Sequence, residues 1–176
     1  MSIARTQVVP SGRERTFGED EIIVSKTDLQ GKITYANDVF IRVSGYDEHE
    51  LLGAPHSIIR HPDMPRAVFK LLWDTLGAGR EVFAYVNNMA RNGDNYWVLA
   101  HVTPSFDRNG TIVGYHSNRR VPERSKLEKL QPIYAALLAA ERRHADRRDG
   151  LVASVALLEA TLATAGIAYD EWVWSL

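Results

Sequence analysis

Two Asn-Gly pairs constrain this chain more than any other feature. Asn92-Gly93 and Asn109-Gly110 separate three runs of strand-forming residues, 82–89, 96–106 and 111–118. An Asn-Gly pair tolerates the positive φ angles of a tight hairpin turn, so the three runs predict an antiparallel meander. Upstream, residues 22–27 are β-rich, Asp28-Leu29-Gln30-Gly31 carries turn chemistry, and residues 32–36 alternate polar with apolar. That pattern predicts a second hairpin. Helical signals lie between the two units. Asn37 or Asp38 can cap a short helix that buries Val39, Phe40 and Val43, and Gly45 stops it. Asp47 with Glu50 reads as a near capping box for one further turn. After Pro62 and Pro65, the residues Val68, Phe69, Leu72, Trp73 and Leu76 form an i, i+3, i+4, i+7 stripe that Gly77 and Gly79 close. The predicted order is two strands, short helices, one longer helix, then three strands.

Past Pro122 the chain turns helical. Leu127, Leu130, Ile133, Tyr134, Leu137 and Leu138 share one face, a second helix is expected from Leu151 to about Ala165, and an aromatic tail runs over 169–176. The expected division is an N-terminal arm (1–19), an α+β domain (20–121) and a helical extension (122–176). The apolar stretch 151–168 is interrupted by Glu159 and is marginal in length for a bilayer. Its residues Val152, Val155, Leu158 and Leu162 recur at helical spacing, which favours a soluble helix packed on a partner. The first eighteen residues have no apolar core of the kind a signal peptide needs, so a cytoplasmic location is expected.

Composition excludes several function classes. The net charge is −1, so no global field attracts nucleic acid or anionic lipid. There is no cysteine, which removes disulfides, thiolate metal sites, iron–sulfur clusters and cysteinyl-flavin adducts. No G-x-S-x-G elbow, P-loop or Rossmann glycine pattern appears. The segment after Pro122 is too short for a kinase, cyclase or phosphodiesterase domain. No enzymatic activity and no catalytic residue is expected.

The element order and three local sequences resemble the PAS domain. Thr34-Tyr35-Ala36-Asn37-Asp38-Val39-Phe40 resembles its I-x-Y-x-N-x-x-F stretch. Ser44-Gly45-Tyr46 with Glu50-Leu51-Leu52-Gly53 resembles the segment that follows, and Asn92 to Val98 resembles the hairpin into the penultimate strand. The resemblance covers about residues 20 to 121 and implies a PAS fold: a five-stranded antiparallel sheet with short helices on one face. Arg60-His61-Pro62-Asp63-Met64-Pro65 resembles a narrower signature, that of the aerotaxis-receptor group of PAS domains. That group holds FAD non-covalently and reports redox state to the chemotaxis machinery. The resemblance implies flavin-site residues at Asn37, Arg60, His61, Asp63, Phe69, Trp73 and Asn88. Val82 departs from it, since a bulky aromatic is expected there.

The residues themselves admit plainer readings. A helix start after the Arg60–Asp63 segment offers free N–H groups to a pyrophosphate or ring carbonyl, and Arg60 adds a forked cationic donor. Asp63 orients Arg60, accepts a ribose hydroxyl, or simply caps the helix while His61 faces solvent. The Asn88 amide both donates and accepts, as the pyrimidine edge of a flavin requires. Trp73 and Trp97 either stack on a ligand or belong to the core. His56, His61, His101 and His116 are conceivable haem ligands, which leaves a haem-binding gas sensor as one alternative. His61 and Asp63 give a metal only two ligands, so no metal site is expected. The expected function is a stand-alone FAD-binding redox or energy-taxis sensor. Its partner would be a membrane chemoreceptor or another signalling protein, reached without membrane insertion. The other alternative is a ligand-free PAS interaction module. The apolar faces after Pro122 need a cover: the sheet's outer face, a second copy in a homodimer, or a receptor, with the homodimer expected.

Overall fold

A computed structural model describes residues 8–176; the first seven residues of the expected arm lie outside the described part. The five strands are β1 (Ile23–Thr27), β2 (Ile33–Ala36), β3 (Val82–Met89), β4 (Asn95–Phe106) and β5 (Ile112–Arg120). They form one antiparallel sheet in the order β2-β1-β5-β4-β3, the five-stranded arrangement expected from the sequence. Between β2 and β3 lie α1 (Asp38–Ser44), α2 (Glu48–Leu51), a 3₁₀ turn (His56–Ile59) and α3 (Arg66–Gly77). Three helices follow the sheet: α4 (Arg124–Arg142), α5 (Arg147–Ala165) and α6 (Tyr169–Ser175).

Local chemistry sets these elements. Asn37 caps α1 by accepting from the Phe40 N–H at 3.0 Å, and Asp47 and Glu50 complete the capping box of α2. Gly93 has φ of +91°, as the β3–β4 turn requires, and a side chain there would collide with the Val9 carbonyl. The arm lies against this turn, its Ser11 and Arg15 N–H groups donating to the Gly93 and Asn95 carbonyls.

Strand alternation gives the sheet two different faces. Val86, Asn88, Ala100, Val102, Ser117 and Arg119 face α3 and the 3₁₀ turn. Phe83, Tyr85, Asn87, Trp97 and His101 point the other way, toward the C-terminal helices. There the Tyr134 hydroxyl donates to the Tyr85 carbonyl at 2.7 Å, and Trp174 meets Phe83 edge-on with ring centroids 4.8 Å apart. Leu127, Leu130, Tyr134, Leu137, Leu158, Trp172 and Val173 join one continuous core with the sheet. The apolar stripe after Pro122 is therefore covered by the protein's own outer sheet face. Of the three covers expected for it, the outer sheet face is the one this chain supplies itself.

Two further boundaries differ from expectation. Helix α5 begins at Arg147 rather than Leu151, because the Asp146 carboxylate accepts from the Arg148 and Asp149 N–H groups and starts the helix early. The aromatic tail is itself a helix, α6. Among the described residues no single helix is long and apolar enough to cross a membrane.

Candidate functional site

A cavity of about 220 Å³ opens between the inner sheet face and the segment from the 3₁₀ turn to α3. Its walls are apolar where Ile59, Leu72, Leu76, Val86, Ala100 and Val102 meet. Trp73, exposed on one side and edge-on to Tyr115 at 5.2 Å, stands with Gly31 at the wall. The polar groups come from four elements: Ser25 of β1, His56 of the 3₁₀ turn, Arg60 after it, Asn88 of β3, and Ser117 and Arg119 of β5.

Arg119 dominates the chemistry. It is 2% exposed, one guanidinium nitrogen donates to the Ser25 hydroxyl at 2.6 Å, and its plane lies 4.4 Å from the centre of the Phe40 ring. Its Nε and Nη1 groups are buried without a hydrogen-bond partner among the described residues. Burial lowers its pKa to about 10, which still leaves it a cation at neutral pH. No carboxylate lines the cavity. The Ser25 hydroxyl accepts from Arg119 and lies 3.0 Å from His56 Nε2, so its own proton goes to that nitrogen. Burial, helped by the neighbouring Arg119 charge, pushes the His56 pKa down to about 3, so the imidazole is neutral. The nitrogen a haem iron would need is thereby engaged. Of the other conceivable haem ligands, His101 stacks on Phe83 and pairs with Glu81 on the outer face, and His116 lies 3.1 Å from the Asn118 side-chain oxygen.

The structure divides the residues singled out in the sequence. Arg60, Phe69, Trp73 and Asn88 line the cavity. The Arg60 guanidinium stacks 4.0 Å above the Phe69 ring; burial lowers its pKa, and the Glu141 charge opposes that shift. Backbone bridging ties Arg60 to Asn88, and the Asn88 amide makes no hydrogen bond within the described residues. Asn37 is not at the cavity. Its side chain accepts from Val24 and Phe40 N–H groups and donates to the Ile22 carbonyl, so it ties α1 to β1. His61, Asp63 and Trp97 line a separate groove on the far side of the segment, against α4. Asp63 does not cap α3; its carboxylate pairs with Arg142 at 2.9 Å.

The start of α3 is also not free for an anion. Glu141, from the end of α4 and 7% exposed, accepts from the Arg66 N–H at 2.6 Å and the Ala67 N–H at 3.3 Å, and pairs with Arg66 Nε at 3.0 Å. The expectation of a pyrophosphate at this helix start is corrected: the chain's own carboxylate fills it. Arg119, Ser25 and Glu141 were not singled out from the sequence, and His56 was named only as a conceivable haem ligand. Alternation along β5 puts Arg119 on the face of Tyr115 and Ser117, the one sequence signal for its inward direction.

Comparison with known proteins agrees with this architecture. A family model described as the PAS fold matches residues 33–119. The aerotaxis receptor of Escherichia coli (strain K12) is 46% identical over 123 residues, 70% of this chain and 24% of the receptor. The nitrogen fixation regulatory protein of Klebsiella pneumoniae is 30% identical over 99 residues, 56% of this chain and 20% of that protein. The chain thus spans about a quarter or less of these curated relatives. Among solved structures, the light state of the blue-light photoreceptor Aureochrome1 LOV superposes with a TM-score of 0.54 at 25% identity, over 69% of this chain and 91% of that one.

Proposed function

The chain belongs to the PAS-fold family through residues 33–119, and on that premise we propose that its cavity holds a non-covalent flavin, FAD in particular, as the sensing element of a redox or energy sensor. The carrying observation is Arg119: a buried cation with two unpartnered N–H groups in the wall of a cavity that has no carboxylate. A flavin ring presents an apolar edge and an edge of alternating donors and acceptors. The apolar wall at Leu72, Val86 and Val102 suits the first. The free Asn88 amide and the Arg119 donors suit the second. Without a cysteine, the chain forms no cysteinyl adduct with the ring.

A bound flavin supplies reversible electron uptake with a change in its charge. The protein's own residues give that change somewhere to go. Arg60 and Arg119 feel it directly, and Arg60 lies in the field of Glu141, which joins the ligand segment to α4. A charge at the cavity thereby biases the packing of α4 and α5, provided it favours one arrangement over another. Output is by protein–protein contact with a membrane chemoreceptor or another signalling protein, from the cytoplasm and without catalysis. A homodimer through the exposed residues Val152, Leu157 and Trp174 is part of the same reading.

The test is optical. Protein made in flavin-replete cells should show oxidised-flavin absorbance and release the flavin on heating. Arg119→Met should weaken binding tenfold to a hundredfold, the usual ~1.5–3 kcal/mol of a hydrogen bond to a charged group. A well-folded wild-type protein that carries no flavin, and takes none up on reconstitution, overturns this function.

A further inference from the structure

The aerotaxis-type signature serves two sides of the molecule. Arg60 faces the cavity, while His61 and Asp63 face a groove of about 820 Å³ between the outer sheet face and α4. From the geometry of this groove we infer a second ligand site, one that takes a carboxylate attached to a flat apolar body.

The groove presents donors on two largely buried side chains. His61 has a side chain 8% exposed, and its Nδ1 accepts from the Asp63 N–H at 3.1 Å. Because Nδ1 accepts that hydrogen bond, the ring's hydrogen sits on Nε2; burial lowers the His61 pKa in the same sense, against the nearby Asp63 charge. That N–H has no partner among the described residues. Asn87, on the adjoining strand and also buried, spends its side-chain oxygen on the Asn95 amide at 3.1 Å, which leaves its NH₂ group as a donor. Both line the groove, and their segments are tied together: Met64, three residues after His61, receives the Asn87 backbone N–H on its sulfur at 3.2 Å.

Charge and shape narrow the ligand. Arg142 and Arg143 stand on the α4 side of the groove. Its two acids are already paired, Asp63 with Arg142 at 2.9 Å and Glu14 with Arg124 at 2.9 Å. An incoming anion therefore meets neutral N–H donors and a free Arg143 rather than an unpaired carboxylate. Trp97 and the Ala135, Leu138 and Ala139 side chains offer flat apolar surface beside the donors. Two donors near one cation suit the two oxygens of a carboxylate, and the indole suits a planar hydrocarbon. The volume lies within the range of small-molecule sites.

Phenylacetate is the probe, with phenylacetamide as its uncharged counterpart, titrated into full-length ¹⁵N-labelled protein. Saturable shifts are expected at the Trp97 indole N–H, the Asn87 side-chain amide and His61. Phenylacetamide should bind at least tenfold more weakly. His61→Phe keeps a ring but removes the donor, and should weaken phenylacetate binding about tenfold. Since that change also removes the acceptor for Asp63, a second variant covers a loss of folding. Ala135 is exposed on α4, so Ala135→Phe fills the groove without touching the core and should abolish binding. Equal affinity for acid and amide, shifts centred on Asn88 and Trp73 in the cavity, or shifts that never saturate would each overturn the site. None of these outcomes depends on whether the cavity holds a flavin.

Discussion

Replacing Glu141 with alanine tests whether the C-terminal helices and the ligand segment are held together by one carboxylate. Glu141 is 7% exposed and accepts three hydrogen bonds, from the Arg66 N–H, the Ala67 N–H and Arg66 Nε. Losing a helix cap costs ~0.5–2 kcal/mol, and breaking a buried ion pair ~3–5 kcal/mol. The Arg66 side chain keeps 24% of its exposure and a second bond to the Arg147 carbonyl at 2.7 Å, so its charge is not stranded and the upper figure is discounted. The expected loss is ~2–4 kcal/mol, which for a chain of this size lowers Tm by about 5–15 °C. Glu141→Gln should cost roughly half as much. Its oxygen can still accept from the Arg66 N–H, but its NH₂ group faces the Arg66 donor. The assay is urea denaturation followed by far-UV circular dichroism and tryptophan fluorescence, with midpoint and slope fitted together. A loss below ~0.5 kcal/mol for Glu141→Ala would place the residue among ordinary surface positions and refute the reasoning.

Two other outcomes follow from the same contacts. Burial holds the His56 pKa at about 3, against 6.5 for the free side chain, so the unfolded chain binds a proton that the native state refuses. Stability should be fully present above pH 6.5 and fall as pH drops toward 3, by ~1.4 kcal/mol per pH unit for this group; His56→Gln, titrated by urea midpoint against pH, should flatten that slope, and an unchanged slope would contradict it. Gly150→Ala ought to stabilise a helix by ~0.5–1 kcal/mol on propensity alone, yet the added Cβ would stand 2.6 Å from the Glu141 carbonyl and 3.1 Å from Arg66 Nη2. Overpacking costs ~1–3 kcal/mol and should win; a more stable variant by calorimetry would show that α4 and α5 are less tightly fitted than described.

The legible parts of this fold were those written in neighbouring residues. Asn92-Gly93 and Asn109-Gly110 announced both hairpins because turn chemistry is local, and the stripe from Val68 to Leu76 announced α3 because helical spacing is local too. The cap of α3 was invisible, since its acceptor, Glu141, arrives from a helix far along the chain. Arg119 lay in a polar run, Asn118-Arg119-Arg120, that reads as a solvated strand end, and only the three-dimensional closure of β1 against β5 buries it. Within the aerotaxis-type signature, the sequence gives one continuous motif. The backbone at Arg60 is extended, φ −73° and ψ 124°, so successive side chains point to opposite sides and enter different compartments. Asn37 illustrates the opposite case: its cap function was readable from position alone, and together with its bonds to Val24 and Ile22 it keeps the side chain away from the cavity.

The tie between Arg60 and Asn88 has a consequence for self-association. β3 is the last strand of the sheet, and an open strand edge is a template for aggregation or for adding a foreign strand. Here the Tyr134 hydroxyl takes the Tyr85 carbonyl, Met64 sulfur takes the Asn87 N–H, and Arg60 bridges to Asn88, so that border is stoppered from within. The opposite border, β2, is four residues long and is likewise engaged: the Ala54 carbonyl receives the Ile33 N–H, and Lys32 bridges to Pro55. Neither border invites edge-to-edge polymerisation. In the proposed homodimer, contact would then run through side chains, and substitutions at Val152, Leu157 or Trp174 would disturb it where backbone-directed peptides would not compete.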